Sequence, residues 1–277
     1  MGAIRWDGRI LQVVLAGSLP ALIVAFGLFV FRNIFIAMFL MHWIGMVPVA
    51  VALSMYNRGR KGLDFYWEYL RQQQFSSDLF ALMLLWTAGF GFTIAVYAAD
   101  SCKTYSWALC VGQVDGNMGQ YGFNEFPRWF VIVCAGYFSI VNPFIEEMFW
   151  RVFMIAETAP PESSCEKRTN TDEEAGLVRN GPDGPPVVED PYPLDTAILF
   201  GMLYASYHTL VVGALLGAWT YALVSFVTLS GLGVSFHWLI HAYDPAKGFY
   251  RAVFLHAGID LGIVIALADS VGWIHLV

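Results

Sequence analysis

The chain has 277 residues and a net charge of −7, with 57% hydrophobic and only 13% charged residues, against ~25% charged in a soluble globular protein. Mean hydropathy is +0.56, and no Asp, Glu, Lys or Arg lies between Asp195 and Asp244. These values exclude a soluble enzyme, a nucleic-acid binder and a secreted disulfide module, and they predict one all-α membrane domain, a polytopic helical bundle over 1–277 whose surroundings are the lipid bilayer.

A spanning helix needs ~20 mainly apolar residues, and the sequence supplies about seven such runs. They are Ile10–Phe31, Asn33–Tyr56, Leu79–Ala99, Trp129–Ala156, Thr196–Leu216, Ala218–Ile240 and Ala252–Trp273. The first run lacks the short apolar core and small-residue cleavage site of a secretory signal, so it reads as a retained span. The connections at Arg32 and near Gly217 are tight and predict antiparallel hairpins. Leu63–Phe75 mixes aromatics with charge and reads either as an interfacial helix or as an aromatic belt beside a span. Cys102 and Cys110 share a loop in which they could pair, and the four cysteines fit no metal spacing. From Glu157 to Asp195 the chain carries Pro, Gly, Ser and acids with almost no apolar periodicity, which predicts a mobile acidic cytoplasmic loop.

The basic residues orient the bundle. With the N-terminus inside, the cytoplasmic side receives Arg5, Arg9, Arg58, Arg60, Lys61, Arg71, Lys167, Arg168, Arg179, Lys247 and Arg251, and the other side only Arg32, Lys103 and Arg128. That asymmetry predicts an N-inside topology.

Ionisable residues at bilayer depth are costly, and they mark either a functional site or a paired structural charge. The fourth span carries Glu146, Glu147 and Arg151, the fifth His208, and the seventh His256 with Asp260. At 1.5 Å rise per residue, Glu146 lies ~15 Å, His208 ~18 Å, His256 ~6 Å and Asp260 ~12 Å from the cytoplasmic end of its span. All therefore fall in one half of the bundle. Glu147 and Arg151 are four apart and share a helix face, so they can neutralise each other. Glu146 is turned ~100° away and has no such partner on its own helix, which makes it the better candidate for chemistry. Asn142-Pro143 just before it predicts a break or kink lining a cavity. His256 and Asp260 also share a face. Two carboxylates and two imidazoles facing one cavity suit water activation or a metal. His42, His275, and the His237–His241 pair read instead as interfacial.

The segments FIEEMFWRVF, YASYHTLV and FLHAGIDLGI resemble the CaaX protease and bacteriocin-processing family of intramembrane proteases. Glu146, Glu147 and Arg151 match its Glu-Glu-x-x-x-Arg motif. His208 matches Phe-x-x-x-His with Tyr204 in place of Phe, and His256 with Asp260 matches His-x-x-x-Asn or Asp. The resemblance covers roughly 129–273. It implies that Glu146 and His208 activate a water for attack on a peptide carbonyl, that His256 and Asp260 stabilise the oxyanion, and that Glu147 and Arg151 are structural. It also implies prenylated CaaX-type or other membrane-associated peptides as substrates. The membrane would be the plasma (inner) membrane in a prokaryote or the endoplasmic reticulum in a eukaryote. An ionised aspartate only accepts hydrogen bonds, so Asp260 either holds a proton or serves another role. No cofactor is expected on the water-activation reading. The alternative is a zinc metalloprotease in which Glu146, His208, His256 and Asp260 ligate Zn2+. A non-catalytic membrane scaffold of the same fold and a proton-coupled transporter are the other readings.

Overall fold

The computed structural model describes residues 8–59, 61–75, 77–91, 111–158, 194–216, 219–243 and 246–270. These residues form an all-helical bundle. In chain order, α1 is Gly8–Phe29, α2 is Ile34–Arg58, α3 is Lys61–Gln72, and α4 is Asp78–Trp86 continued by a π-helical turn at Thr87–Gly91. Next come α5 at Val111–Gln120, α6 at Arg128–Thr158 and α7 at Leu194–Leu216. The last two are α8, Trp219–Trp238 continued by a π-helical turn at Leu239–Tyr243, and α9, Gly248–Ser270. Among the described residues six helices are long and apolar enough to cross a membrane: α1, α2, α6, α7, α8 and α9. The chain is thus a multi-pass helical membrane protein.

The third expected span, Leu79–Ala99, corresponds to α4, and its later part lies outside the described residues, as do the Cys102–Cys110 loop and His275. Helix α5 was not expected. Its Asn117 side-chain amide donates to the Leu215 carbonyl at 2.9 Å, near the end of α7. Of the expected loop, Glu157 and Thr158 still belong to α6, and Leu194 with Asp195 opens α7; residues 159–193 lie outside the described residues.

Sequence pattern accounts for which way each helix faces. On α6, Trp129, Ile132, Val133 and Ile140 are exposed apolar groups of the kind that contact lipid, whereas Ser139, Asn142 and Glu146, spaced three and four apart, are buried. On α9 the inward stripe is Phe249, Ala252, Val253, His256 and Asp260. α6 and α9 lie against each other, and α1 packs on both α2 and α7. The turn between α1 and α2 is tight as expected: Arg32 takes φ 50°, and Gly27 leaves no room for a Cβ because the Ala37 backbone sits there. α7 and α8 form the closest helix pair, crossing where a Cβ on Gly201 would meet the Ser230 carbonyl at 2.7 Å and one on Gly233 the Gly201 Cα at 2.9 Å. Glycine at both positions lets the backbones touch.

Glu157 departs from the loop reading for a physical reason. It is buried, with Oε2 accepting from the Asn57 amide at 2.9 Å and Oε1 from the Tyr66 hydroxyl at 2.7 Å. Arg58 Nε lies 3.2 Å away, and the Arg58 guanidinium also donates to the Ala156 carbonyl. Burial, with the Glu157 carboxylate beside it, pushes the Tyr66 phenol well above its usual pKa, so it keeps its proton to donate. This contact ties the ends of α2 and α6 to α3, the helix that covers most of Leu63–Phe75, a segment for which the sequence left an interfacial helix and an aromatic belt as alternatives.

Candidate functional site

The conserved geometry of an α-helix places Asn142 and Glu146 on one face of α6, and the helix runs without a break through Pro143 to Glu147. Of the break or kink expected at Asn142-Pro143, the break is absent. The ladder changes at Met148–Phe153, a π-helical stretch that contains Arg151, and inserted turns of this kind recur at functional sites.

Three helices bring the predicted residues together. Glu146 Oε2 is 3.8 Å from His208 Nε2 on α7 and 3.6 Å from His256 Nε2 on α9. The other nitrogen of each ring is anchored. His208 Nδ1 donates to the Tyr204 carbonyl at 3.0 Å, and His256 Nδ1 to Glu147 Oε1 at 2.9 Å. A carbonyl or carboxylate only accepts, so the Nδ1 proton is fixed and Nε2 of each ring faces Glu146, as a lone pair where the ring is neutral and as a donor where it is an imidazolium. Lone pairs facing a carboxylate repel unless a proton donor or a cation lies between them. A water donating one hydrogen to Glu146 Oε2 and the other to His208 Nε2 meets that need.

Glu147 does two things at once. Besides His256 it holds Arg151, with Oε2 at 3.5 Å from Arg151 Nε. The guanidinium carbon lies over the Tyr204 ring, 4.3 Å from the centroid, with Phe236 at 5.9 Å. Tyr204 also brings its hydroxyl to 3.3 Å from His256 Nε2. The aromatic ring at this position therefore roofs the arginine, while its backbone orients His208.

Asp260 is displaced from the centre. Its Oδ2 is 3.6 Å from His256 Nε2 and accepts from the Asn142 amide at 3.0 Å. Asn142, which sequence reasoning used only as a helix breaker, is thus a buried amide donor in the site. Two histidines assigned to the interface also reach it. His42 is fully buried, with Nε2 3.7 Å from Glu146 Oε1, and His241 Nε2 donates to the Arg151 carbonyl at 2.9 Å. A cavity of about 660 Å³ adjoins the cluster, lined by Trp86, Leu232, Phe236, Leu255 and Ile259 among others. Phe236 stands between it and the His256 ring, 6.0 Å from that ring's centroid.

The donor set fits zinc in part. One ligand atom each from Glu146, His208 and His256 lies within 4.8 Å of the others, the two-histidine, one-carboxylate set of catalytic zinc. Ring nitrogens anchored by a carboxylate and a carbonyl are the usual outer partners of such ligands. Asp260, the fourth ligand expected on the metal reading, does not belong to that group. Charge points the same way: Glu146, Glu147 and Asp260 face Arg151 as the one permanent cation among the described residues of the cluster, so protons or a metal ion must balance the rest. No protein-family model, curated protein or solved structure matches this chain.

Proposed function

We propose that the chain is an intramembrane peptide hydrolase in which Glu146 and His208 activate a water. The observation that carries this is the pair of anchored imidazoles, His208 and His256, converging on one oxygen of a buried carboxylate at 3.8 and 3.6 Å. Glu146 takes the water proton, and the hydroxide oxygen forms a bond to the peptide carbonyl carbon. His208 Nε2 then relays that same proton from Glu146 to the leaving amine as the C–N bond breaks and the carbonyl re-forms, which returns both groups to their starting states. His256, when doubly protonated, donates from Nε2 to the oxyanion, and Asn142 keeps Asp260 in place beside it. The residues and their order match the motifs of CaaX-type proteases, which supports membrane-associated peptides, prenylated ones included, as substrates. The distribution of Lys and Arg supports an N-inside topology with the site reached from the cytoplasmic half.

A zinc-dependent form of the same reaction is favoured by the anchored Nδ1 atoms and the excess of carboxylates. Glu146, His208 and His256 would hold the ion, which would supply an acidified water and a Lewis acid for the carbonyl. The test of both is a peptidase assay of purified protein on a panel of membrane-associated and farnesylated CaaX-type peptides, with and without a chelator. Cleavage that survives the chelator and is lost in Glu146→Gln supports the metal-free hydrolase. Cleavage abolished by the chelator and restored by zinc selects the metalloprotease, and no cleavage of any peptide refutes both.

A further inference from the structure

One ionisable group at the centre of the site is unused by the hydrolase reading and comes from the half of the chain outside the motif-bearing segments. His42 lies in a π-helical turn of α2, Met41–Met46, and is fully buried. Its Nε2 faces Glu146 Oε1 at 3.7 Å, the carboxylate oxygen opposite the one that faces His208 and His256. Its Nδ1 is 3.2 Å from the Tyr137 hydroxyl, and the Trp43 indole N–H approaches that same oxygen. An indole nitrogen only donates. The Tyr137 oxygen accepts from Trp43 and still has its own proton to give; since Nε2 faces a carboxylate, which only accepts, the ring proton belongs on Nε2, aimed at Glu146, and Nδ1 takes the Tyr137 proton.

We propose that His42 is a positioning residue for Glu146. The Trp43–Tyr137–His42 chain presents an N–H to Oε1, fixes the plane of the carboxylate, and leaves Oε2 as the oxygen that takes the water proton. The role rests on the hydrolase reading above. A separation of 3.7 Å exceeds a hydrogen bond, as is common in unliganded sites whose contacts tighten once substrate is bound. Simple packing does not account for the residue. A leucine would fill the space without burying a ring nitrogen that has no hydrogen-bond partner, and buried polar atoms left in that state are costly.

The experiment compares wild type, His42→Leu, His42→Gln and Tyr137→Phe on whichever farnesylated or membrane-associated peptide the wild type cleaves best, with thermal melting of each. Glutamine keeps an amide N–H near the Nε2 position. The expected result is a loss of roughly 10²-fold in kcat for His42→Leu with KM held within about threefold. His42→Gln should recover to within about tenfold of wild type, and Tyr137→Phe should lose about tenfold in kcat. Where His42→Leu does not fold, the kcat loss of Tyr137→Phe at unchanged KM and melting carries the test. A fully active His42→Leu, a His42→Gln no better than folded His42→Leu, or losses seen only in melting overturn the positioning role alone. A wild type that cleaves no peptide overturns the hydrolase reading and takes the positioning role with it.

Discussion

Replacing Glu147 by glutamine strands a guanidinium inside the bundle. Arg151 is 2% exposed and Glu147 fully buried, with 3.5 Å between them. Removing one partner of a buried pair costs ~3–5 kcal/mol. Arg151 keeps its place over the Tyr204 ring, an interaction of ~2 kcal/mol when desolvated, which puts the expected cost at the lower end, ~3 kcal/mol. At ~2–4 °C per kcal/mol for a chain of this size class, melting should fall by ~6–12 °C. Glu146→Gln removes no partner from a permanent cation, so its melting should stay within ~1 kcal/mol of wild type, while turnover falls ~10²–10⁴-fold with the loss of a general base. The two variants and a Glu147→Gln/Arg151→Met double variant can be followed by tryptophan fluorescence in detergent. The double variant should regain most of the lost stability, because no unpaired charge remains and the glutamine oxygen still accepts from His256 Nδ1. Equal melting losses in Glu146→Gln and Glu147→Gln would refute the division of labour between the two neighbours.

Three further outcomes are expected. Asp260→Asn should keep activity or raise it by up to ~10²-fold, since an asparagine oxygen can still accept from Asn142 while its amide supplies an oxyanion donor; bound zinc and activity falling together in this variant would show that Asp260 serves a metal. Gly233→Ala should lower stability by ~1–3 kcal/mol, because its Cβ would sit 2.9 Å from the Gly201 Cα and 3.3 Å from an Arg151 nitrogen. Gly231→Ala, on the same helix with open space around it, should instead stabilise by ~0.5–1 kcal/mol, and similar melting shifts in the two would contradict the close α7–α8 crossing. Single cysteines near His256 in a cysteine-free background should react with a membrane-impermeant thiol reagent from the cytoplasmic face, whereas labelling only from the other face would invert the proposed topology.

The site was legible in the sequence where chemistry contrasts with its surroundings. Glu146, Glu147, Arg151, His208, His256 and Asp260 stand out against apolar runs, and spacing of four already paired Glu147 with Arg151 and His256 with Asp260. What escaped was contact between groups far apart in the chain. His42 has no carboxylate within reach along its own helix, so nothing local separates it from an interfacial histidine, although Glu146 lies beside it in space. Asn142 next to Pro143 reads as a breaker because that is the local propensity, while its actual role depends on Asp260 from α9. Glu157 begins a stretch of loop composition, and only the folded bundle supplies the Asn57, Arg58 and Tyr66 partners that bury it. The π-helical turns left no trace either, since helices apolar on most sides carry little periodicity from which an extra residue could be noticed.

The π-helical stretch Met148–Phe153 has an evolutionary consequence of its own. Each such turn holds one residue more than an α-helical ladder of the same rise. Deleting a single residue there would close the regular ladder and leave the turns on either side nearly in phase, so Glu146 and Glu147 could keep the histidines while Glu157 keeps Asn57, Tyr66 and Arg58. A deletion in the α-helical turns that flank the stretch has no spare residue to absorb it and would swing everything beyond by about 100°. Within α6, viable natural length variation should therefore collect at this stretch, and the turns on either side should hold their length strictly.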